Sequence, residues 1–116
     1  MIFLAVRLTM LDYVIGPAMR KDLKKIKSKD LAQIISAAID SIREDPSCGT
    51  AKVGDLAGLV VYRFSHKGVS YRLGYYYSSE RSAIVFSLFD TREDFYSRAK
   101  RVYDPKTLDA SGSSVS

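Results

Sequence analysis

The residues whose types and spacing could do chemistry begin with two arginines, Arg63 and Arg72, in consecutive segments of strand-like sequence. If Lys67-Gly68 forms a two-residue turn, the segments make a hairpin in which Arg63 lies directly opposite Arg72 on one face. Like charges in that arrangement destabilise a sheet. We therefore predict an anion-binding site at this pair, with an RNA phosphate as the favoured anion. The alternative is that both arginines are solvated residues paired with acids elsewhere in the chain.

Two further groups of candidates flank the arginines. An Arg-x-x-x-Tyr motif, Arg92 and Tyr96, closes the same region, although Tyr96 could also be ordinary packing beneath the last helix. In the predicted turn, His66 and Lys67 could contact RNA or supply a base, and plain exposure is the alternative interpretation of His66. These residues extend the candidate site along the second half of the chain.

A basic run at residues 20–27 provides a third group, which includes Lys24 and Lys25. Such a run is typical of a solvated helix face, but its one-sided charge would also suit RNA through a salt-sensitive attraction to phosphates. The whole chain carries 18 basic and 13 acidic side chains, a net charge of +5. That excess favours a polyanion or an acidic protein as the partner.

Two helices are predicted before the arginine-bearing segments. Pro17 suits the first position of a helix, because its φ is fixed and it has no N–H to leave unpaired. A second helix follows with Asp30 as its expected cap, and Pro46 is expected to end it by disfavouring helical geometry at Asp45. Its apolar residues form one continuous stripe at helical spacing, namely Leu31, Ile34, Ile35, Ala38, Ile39 and Ile42. The sequence therefore predicts a helical hairpin.

Strands follow at residues 59–65 and 69–77, where aromatic and β-branched residues predominate. Alternation along the two strands puts one set of side chains against the helices, namely Val60, Tyr62, Phe64, Tyr71, Leu73 and Tyr75. Arg63, Ser65 and Arg72 share the other face, where Gly74 is expected to leave room above the sheet. This second face is predicted to be polar and positively charged.

The remaining segments complete an α+β fold of one domain over residues 1–104. Residues 83–89 are almost continuously apolar, which indicates a strand buried on both faces. Thr91 is expected to cap a short C-terminal helix with Phe95, Ala99 and Val102 on one stripe. Residues 105–116 are expected to be a disordered tail. Residues 1–9 are either a first strand or an extension before a translation start at Met10.

Composition narrows the functional classes. The length suits one domain with a single core. A chain with one His and one Cys cannot readily form a conventional zinc site, so we expect neither a metal nor another cofactor. The lone Cys48 fits a reducing cytoplasm. No apolar segment is long enough to span a bilayer, and the apolar N-terminus lacks the basic start and the small-residue cleavage site of a signal peptide.

The order of these motifs resembles the RelE/ParE superfamily, the toxins of bacterial type II toxin–antitoxin modules. The resemblance covers roughly residues 11–102 and depends on four motifs in sequence: Leu56-Ala57-Gly58, Tyr62-Arg63, Tyr71-Arg72-Leu73, and Asp90 to Tyr96 with its Arg-x-x-x-Tyr. It implies a RelE-like fold: a helical hairpin packed on a small, mainly antiparallel twisted sheet, with a short C-terminal helix. The resemblance favours the RelE-like branch.

The superfamily contains two activities. RelE-like members enter the ribosome and cut messenger RNA: the ribose 2′-hydroxyl attacks the adjacent phosphate and leaves a cyclic phosphate and a free 5′-hydroxyl. Such a reaction needs a base, an acid and cations for the phosphorane, which side chains can supply without a metal. ParE-like members instead inhibit DNA gyrase. A non-catalytic, degenerate toxin that only binds RNA or a partner is a third alternative.

Carried over onto this sequence, the resemblance implies catalytic roles for four residues. Arg63 matches a basic cleft residue, Arg72 matches the phosphate-binding arginine, and Arg92 matches the arginine four residues before the terminal tyrosine. Tyr96 matches that tyrosine, which can stack on a base or relay a proton. Two residues depart from the pattern: Ser65 stands where several ribosome-dependent members have a second lysine, and Asp90 stands where some members have a basic residue. These departures keep the gyrase-directed branch open.

The resemblance also implies partners. A toxin of this type acts in the cytoplasm on the ribosome and its messenger RNA, and it has a cognate antitoxin with which it forms a hetero-oligomer. The antitoxin would lay a helix or strand over the toxin and cover or distort its basic cleft. No membrane partner is expected.

Overall fold

A mixed five-stranded sheet with strand order β1-β5-β4-β3-β2 organises residues 11–103, the part of the chain that the computed structural model describes. β1 runs parallel to β5, and the other neighbours are antiparallel. The strands are β1 (Tyr13–Ile15), β2 (Thr50–Ala51), β3 (Val60–His66), β4 (Val69–Ser78) and β5 (Ala83–Thr91). The helices are α1 (Pro17–Lys25), α2 (Lys29–Glu44) and α3 (Arg92–Val102). Two 3₁₀ turns, Pro46–Cys48 and Gly54–Leu56, flank β2.

The predicted β3–β4 hairpin and its register are confirmed. Lys67 and Gly68 form the two-residue turn with φ values of 51° and 79°, the left-handed values that a tight hairpin turn requires at both positions. His66 pairs with Val69, and the pairing continues outward so that Arg63 lies opposite Arg72. The turn therefore sets the relation between the two arginines.

The helix-facing side of the sheet also agrees with the prediction. The aromatic and aliphatic side chains expected on this face of β3 and β4 pack in one cluster with residues of α1 and α2, among them Met19, Leu31 and Ile35. β5 is buried along residues 83–89 because it lies between β4 and β1 in the sheet, although β1 pairs with residues 84–86 only, and it is covered on both faces. Each predicted strand boundary lies within two residues of the observed one.

The expected cap of α2 is wrong. The helix begins at Lys29, and Ser28 is its N-cap, with Oγ accepting a hydrogen bond from the Leu31 N–H at 3.2 Å. Asp30 lies instead inside the first turn, where a negative charge suits the helix dipole. The prediction for the other end is confirmed, since α2 stops at Glu44.

α3 packs on the opposite face of the sheet, where the predictions for Gly74 and Val102 are wrong and the one for Thr91 holds only for its position. Gly74 does not leave open space, because a Cβ built on it would lie 2.8 Å from Cζ of Phe95. The ring of Phe95 fills that space, and Ala99 is buried beside it, but Val102 is exposed and Tyr103 is buried instead. Thr91 is the N-cap residue of α3, yet its side chain accepts no backbone N–H.

The beginning of the described chain is a strand, β1, that the sequence analysis did not predict. Helices α1 and α2 follow it in succession, but their packing as an N-terminal hairpin stays a prediction. The expected first strand or extension at residues 1–9 and the expected tail at residues 105–116 lie outside the described residues. No helix within residues 11–103 combines the length and apolar character needed to cross a bilayer.

Candidate functional site

Arg63 and Arg72, called here the arginine row, lie on the face of the sheet that carries α3. The neighbouring row of side chains on this face consists of Val61, Gly74 and Leu88, which pair across β3, β4 and β5. This neighbouring row packs against α3. Because alternate residues of a strand share a face, Arg63 and Arg72 follow on the same face, one row closer to the β3–β4 turn. The arginine row therefore lies at the border between the part of the sheet that α3 covers and the open part.

The two guanidinium groups have no carboxylate partner among residues 11–103. Arg63 is exposed, and Arg72 is half-buried with its Nη1 donating to the Tyr71 carbonyl at 3.0 Å. Nε of Arg72 is buried and has no hydrogen-bond partner among the described residues. A buried donor without an acceptor is costly. An anion would reach this nitrogen only after the guanidinium moves, because the atom has almost no accessible surface, and it would then supply the missing acceptor.

The acid nearest to Arg72 in the sheet register is already bound elsewhere. Asp90 on β5 pairs with Arg72 in the β4–β5 ladder, but its Oδ2 accepts a hydrogen bond from Nη1 of Arg98 at 2.7 Å. Arg98 also reaches Asp22 of α1, with Nη2 3.1 Å from Oδ1. The hydrogen bond to Asp90 is the largest cause that raises the pKa of Arg98, and Asp22 adds to it. We call Asp22, Arg98 and Asp90 the edge network.

The edge network closes the outer edge of β5 beyond the end of β1. β1 pairs with residues 84–86 only, so the next backbone groups of β5 need other partners. Asp22 Oδ2 accepts from the Phe89 N–H at 3.0 Å, and Arg98 Nη1 lies 3.4 Å from the Phe89 carbonyl oxygen. Side chains from α1 and α3 therefore satisfy an edge that no strand within residues 11–103 covers.

Sequence reasoning missed the edge network. Asp22 is the one acid within the basic run at residues 20–27, and it is only 8% exposed. A lone acid in a basic helix segment is a weak signal of burial, and its partners are 67 and 76 residues away. The pattern of the run alone could not have identified them.

Arg92 and Tyr96 lie on α3 without a hydrogen bond or ion pair to the arginine row, as far as residues 11–103 are concerned. Arg92 is exposed at the first position of the helix. The Tyr96 ring packs edge-on against Phe95 at 5.1 Å, and the Lys52 ammonium lies 5.1 Å from its centroid. These contacts support a packing role for Tyr96 and add Lys52 as a cation that the sequence analysis missed.

The four predicted RNA-binding residues do not share one surface with the arginine row. By alternation His66 lies on the face of β3 that packs against α1 and α2, whereas Arg63 lies on the other face. Nε2 of His66 is buried and has no hydrogen-bond partner in the described part of the chain. Lys67 is exposed in the turn between the faces. Lys24 and Lys25 are exposed on α1, which packs on the other face of the sheet. These residues could extend a basic surface around the hairpin, but they do not line one cleft.

A groove of about 360 Å³ lies between the α1–α2 connection and the ends of β4 and β5. Its walls are Asp22, Lys25, Ile26, Lys27, Ser28, Leu31, Tyr71, Phe89, Asp90, Thr91 and Arg98. Of the eight predicted site residues, Lys25 alone lines it, so the arginine row is not part of this groove. Within residues 11–103 no cluster of three His, Cys, Asp or Glu side chains is arranged to hold a metal ion.

Comparisons with known proteins agree with this architecture. A family model described as a ParE-like toxin of type II bacterial toxin–antitoxin systems matches residues 13–100. A chain in the crystal structure of the toxin–antitoxin complex RelBE2 from Mycobacterium tuberculosis is similar in fold, with a TM-score of 0.55 and 25% sequence identity. That similarity covers 71% of this chain and 98% of the other. A search of curated proteins gave no match.

Proposed function

This chain belongs to the ParE-like toxins of type II bacterial toxin–antitoxin systems, within the RelE/ParE superfamily, and from that premise we propose that it is a metal-independent endoribonuclease that cuts messenger RNA on the ribosome. One observation carries the proposal. Arg63 and Arg72 lie opposite each other without a carboxylate partner within residues 11–103, and Nε of Arg72 is a buried donor without an acceptor. Two such cations suit a phosphate diester.

The chemistry assigned to the site is attack by the ribose 2′-hydroxyl on the adjacent phosphate. The hydroxyl loses its proton, its oxygen bonds to phosphorus, and the bond from phosphorus to the 5′ oxygen breaks as that oxygen is protonated. Arg63 and Arg72 would stabilise the negative charge of the phosphorane, and Arg92 would hold a neighbouring phosphate. Tyr96, held by Phe95 and Lys52, would stack on a base or relay a proton.

Expression of the chain in bacteria tests this proposal. Wild-type protein should arrest growth and produce messages with new ends inside coding regions, and Arg72→Ala and Arg63→Ala should abolish both effects. Arg81→Ala is the matched control, because Arg81 is exposed in the β4–β5 loop at the far end of the hairpin. Folded Arg72→Ala protein that arrests growth as wild type does would refute the proposal, because growth arrest would then not depend on RNA cleavage at the arginine row.

A second candidate is inhibition of DNA gyrase. Two points favour it. The matching family is described as ParE-like, and the resemblance aligns Ser65 with a second lysine of several ribosome-dependent members and Asp90 with a basic residue of some members. A supercoiling assay with purified gyrase separates the two candidates. Loss of supercoiling with intact messages would replace the nuclease proposal by gyrase inhibition.

Under either activity we expect a cognate antitoxin as partner and a cytoplasmic site of action. The support is the family and the similarity to a chain from a toxin–antitoxin complex. The ribosome and messenger RNA are partners under the first proposal only. Co-expression with the product of the neighbouring open reading frame should suppress toxicity and give a stable complex.

A further inference from the structure

We propose that Arg98 is a positioning residue for the arginine row. By holding Asp90 on β5, it keeps that carboxylate away from Arg72 and leaves the guanidinium free for an RNA phosphate. This inference rests on the proposed function, because it assumes that Arg72 binds phosphate. Arg98 itself does not contact the RNA.

Without Arg98, Asp90 would be the natural partner of Arg72. The two residues are direct neighbours in the β4–β5 register, which places their Cβ atoms about 5 Å apart. An arginine and an aspartate at that separation can readily form an ion pair. Such a pair would neutralise one of the two cations in the arginine row.

Both oxygens of Asp90 are instead directed to other donors. Oδ2 accepts from Arg98 Nη1 at 2.7 Å, and Oδ1 accepts from the Thr91 N–H at 2.7 Å. Hydrogen bonds of this length to a charged group are strong. Asp90 is therefore held away from Arg72.

Arg98 is in turn fixed by a second carboxylate. Its Nη2 pairs with Asp22, which is 8% exposed and also accepts the Phe89 N–H. A planar guanidinium can bind two carboxylates through different nitrogens, whereas a lysine ammonium is a single point charge. The combined contacts hold Arg98 against the edge of β5 and so determine where Asp90 points.

Binding of a short 2′-O-methyl RNA oligonucleotide tests the inference, because the blocked 2′-hydroxyl prevents cleavage. Arg98→Gln should weaken binding about fivefold, because Asp90 would then pair with Arg72 and compete with the RNA phosphate. A loss of about fivefold in affinity corresponds to the upper end of the energies of partly exposed ion pairs. Arg98→Gln with Asp90→Asn should return the affinity to within about twofold of wild type. The double variant has the wild-type net charge, and Arg101→Gln, one turn further on α3, controls for loss of one positive charge.

The outcomes separate the inference from the proposed function. Wild-type protein that does not bind the oligonucleotide, or that binds it as well after Arg72→Ala, overturns the inference, whereas the proposed function is overturned separately, by the absence of cleavage on purified ribosomes. If Arg72→Ala abolishes binding but Arg98→Gln weakens it no more than Arg101→Gln does, the inference alone is overturned. The inference is also overturned if the double variant binds RNA as weakly as Arg98→Gln does. In that case the loss would be a structural defect, which a second substitution at Asp90 does not repair.

A measurement on the wild-type chain avoids the risk that a variant does not fold. In a nitrogen-15 NMR titration with the same oligonucleotide, the Nε resonance of Arg72 should shift because its N–H gains an acceptor. The Nε resonance of Arg98 should move much less. An Arg98 shift as large as that of Arg72 would mean direct contact with RNA and would refute a positioning role.

Discussion

Gly74→Ala should destabilise the protein, because α3 packs directly on the backbone at this position. A Cβ on residue 74 would lie 2.8 Å from Cζ and 3.3 Å from Cε1 of Phe95, and 3.2 Å from Cδ2 of Leu88. Phe95 and Leu88 are both completely buried, so neither side chain can turn into solvent to relieve the contact. The new methyl group must therefore push α3 away from the sheet.

The magnitude follows from two opposing effects. Overpacking a rigid core costs about 1–3 kcal/mol, and an alanine in place of glycine returns about 0.4–1 kcal/mol by restricting the unfolded chain. The net loss in the free energy of unfolding should lie between about 0 and 2.6 kcal/mol, with a central value of about 1.3 kcal/mol, which corresponds to a fall in Tm of about 5–10 °C. Urea denaturation followed by circular dichroism measures the first value, and a thermal scan measures the second.

A double-mutant cycle identifies the cause of that loss. Phe95→Leu removes the ring atoms that the new methyl group would meet, so Gly74→Ala should cost at least about 1 kcal/mol less in the Phe95→Leu background. Additive losses would show that the methyl group clashes with something else. A Gly74→Ala protein more stable than wild type would refute the close packing of α3 on β4.

Three further predictions concern the framework around the site. Asp22→Ala should lower the free energy of unfolding by about 3 kcal/mol, because it leaves a backbone N–H and a guanidinium without their acceptor; a urea midpoint near that of wild type would contradict this. Ser28→Ala should lower the free energy of unfolding by about 1 kcal/mol in the same assay, and Asp30→Ala by about half as much. A larger loss for Asp30→Ala would show that Asp30, and not Ser28, caps α2. Burial, as the largest cause, raises the pKa of Tyr75 above its ordinary value of 10.0, so the stability that it contributes should be intact below about pH 10 and lost as the pH rises further. Unfolding free energies measured across alkaline pH check this, and stability that does not fall there would contradict it.

The arginine pair could be predicted because its geometry is local. A two-residue turn at Lys67-Gly68 fixes the register of the strands on either side, and alternation then decides which residues share a face. Few other choices remain once the turn is identified. For the same reason the stripe of α2 and the helix-facing side of β3 and β4 followed from periodicity alone.

The errors arose where distant segments meet. Gly74 indicated open space in the sequence, but α3 returns to cover it with Phe95. Asp22 in a basic run was interpreted as part of a solvated face, although the short β1 leaves an edge of β5 that needs an acceptor. Periodicity carries no information about which distant element fills a gap or completes an edge, and Arg98 was missed for this reason.

Cleavage of a defined message on purified ribosomes tests the central claim most directly, because it reports the reaction and the ends that it leaves. The account predicts that wild-type protein cuts the message to give one fragment with a cyclic phosphate and another with a free 5′-hydroxyl, with no added metal required, and that folded Arg72→Ala protein leaves the message intact. A message that folded wild-type protein does not cut, or that Arg72→Ala protein cuts equally well, would contradict the assignment of the arginine row to RNA cleavage.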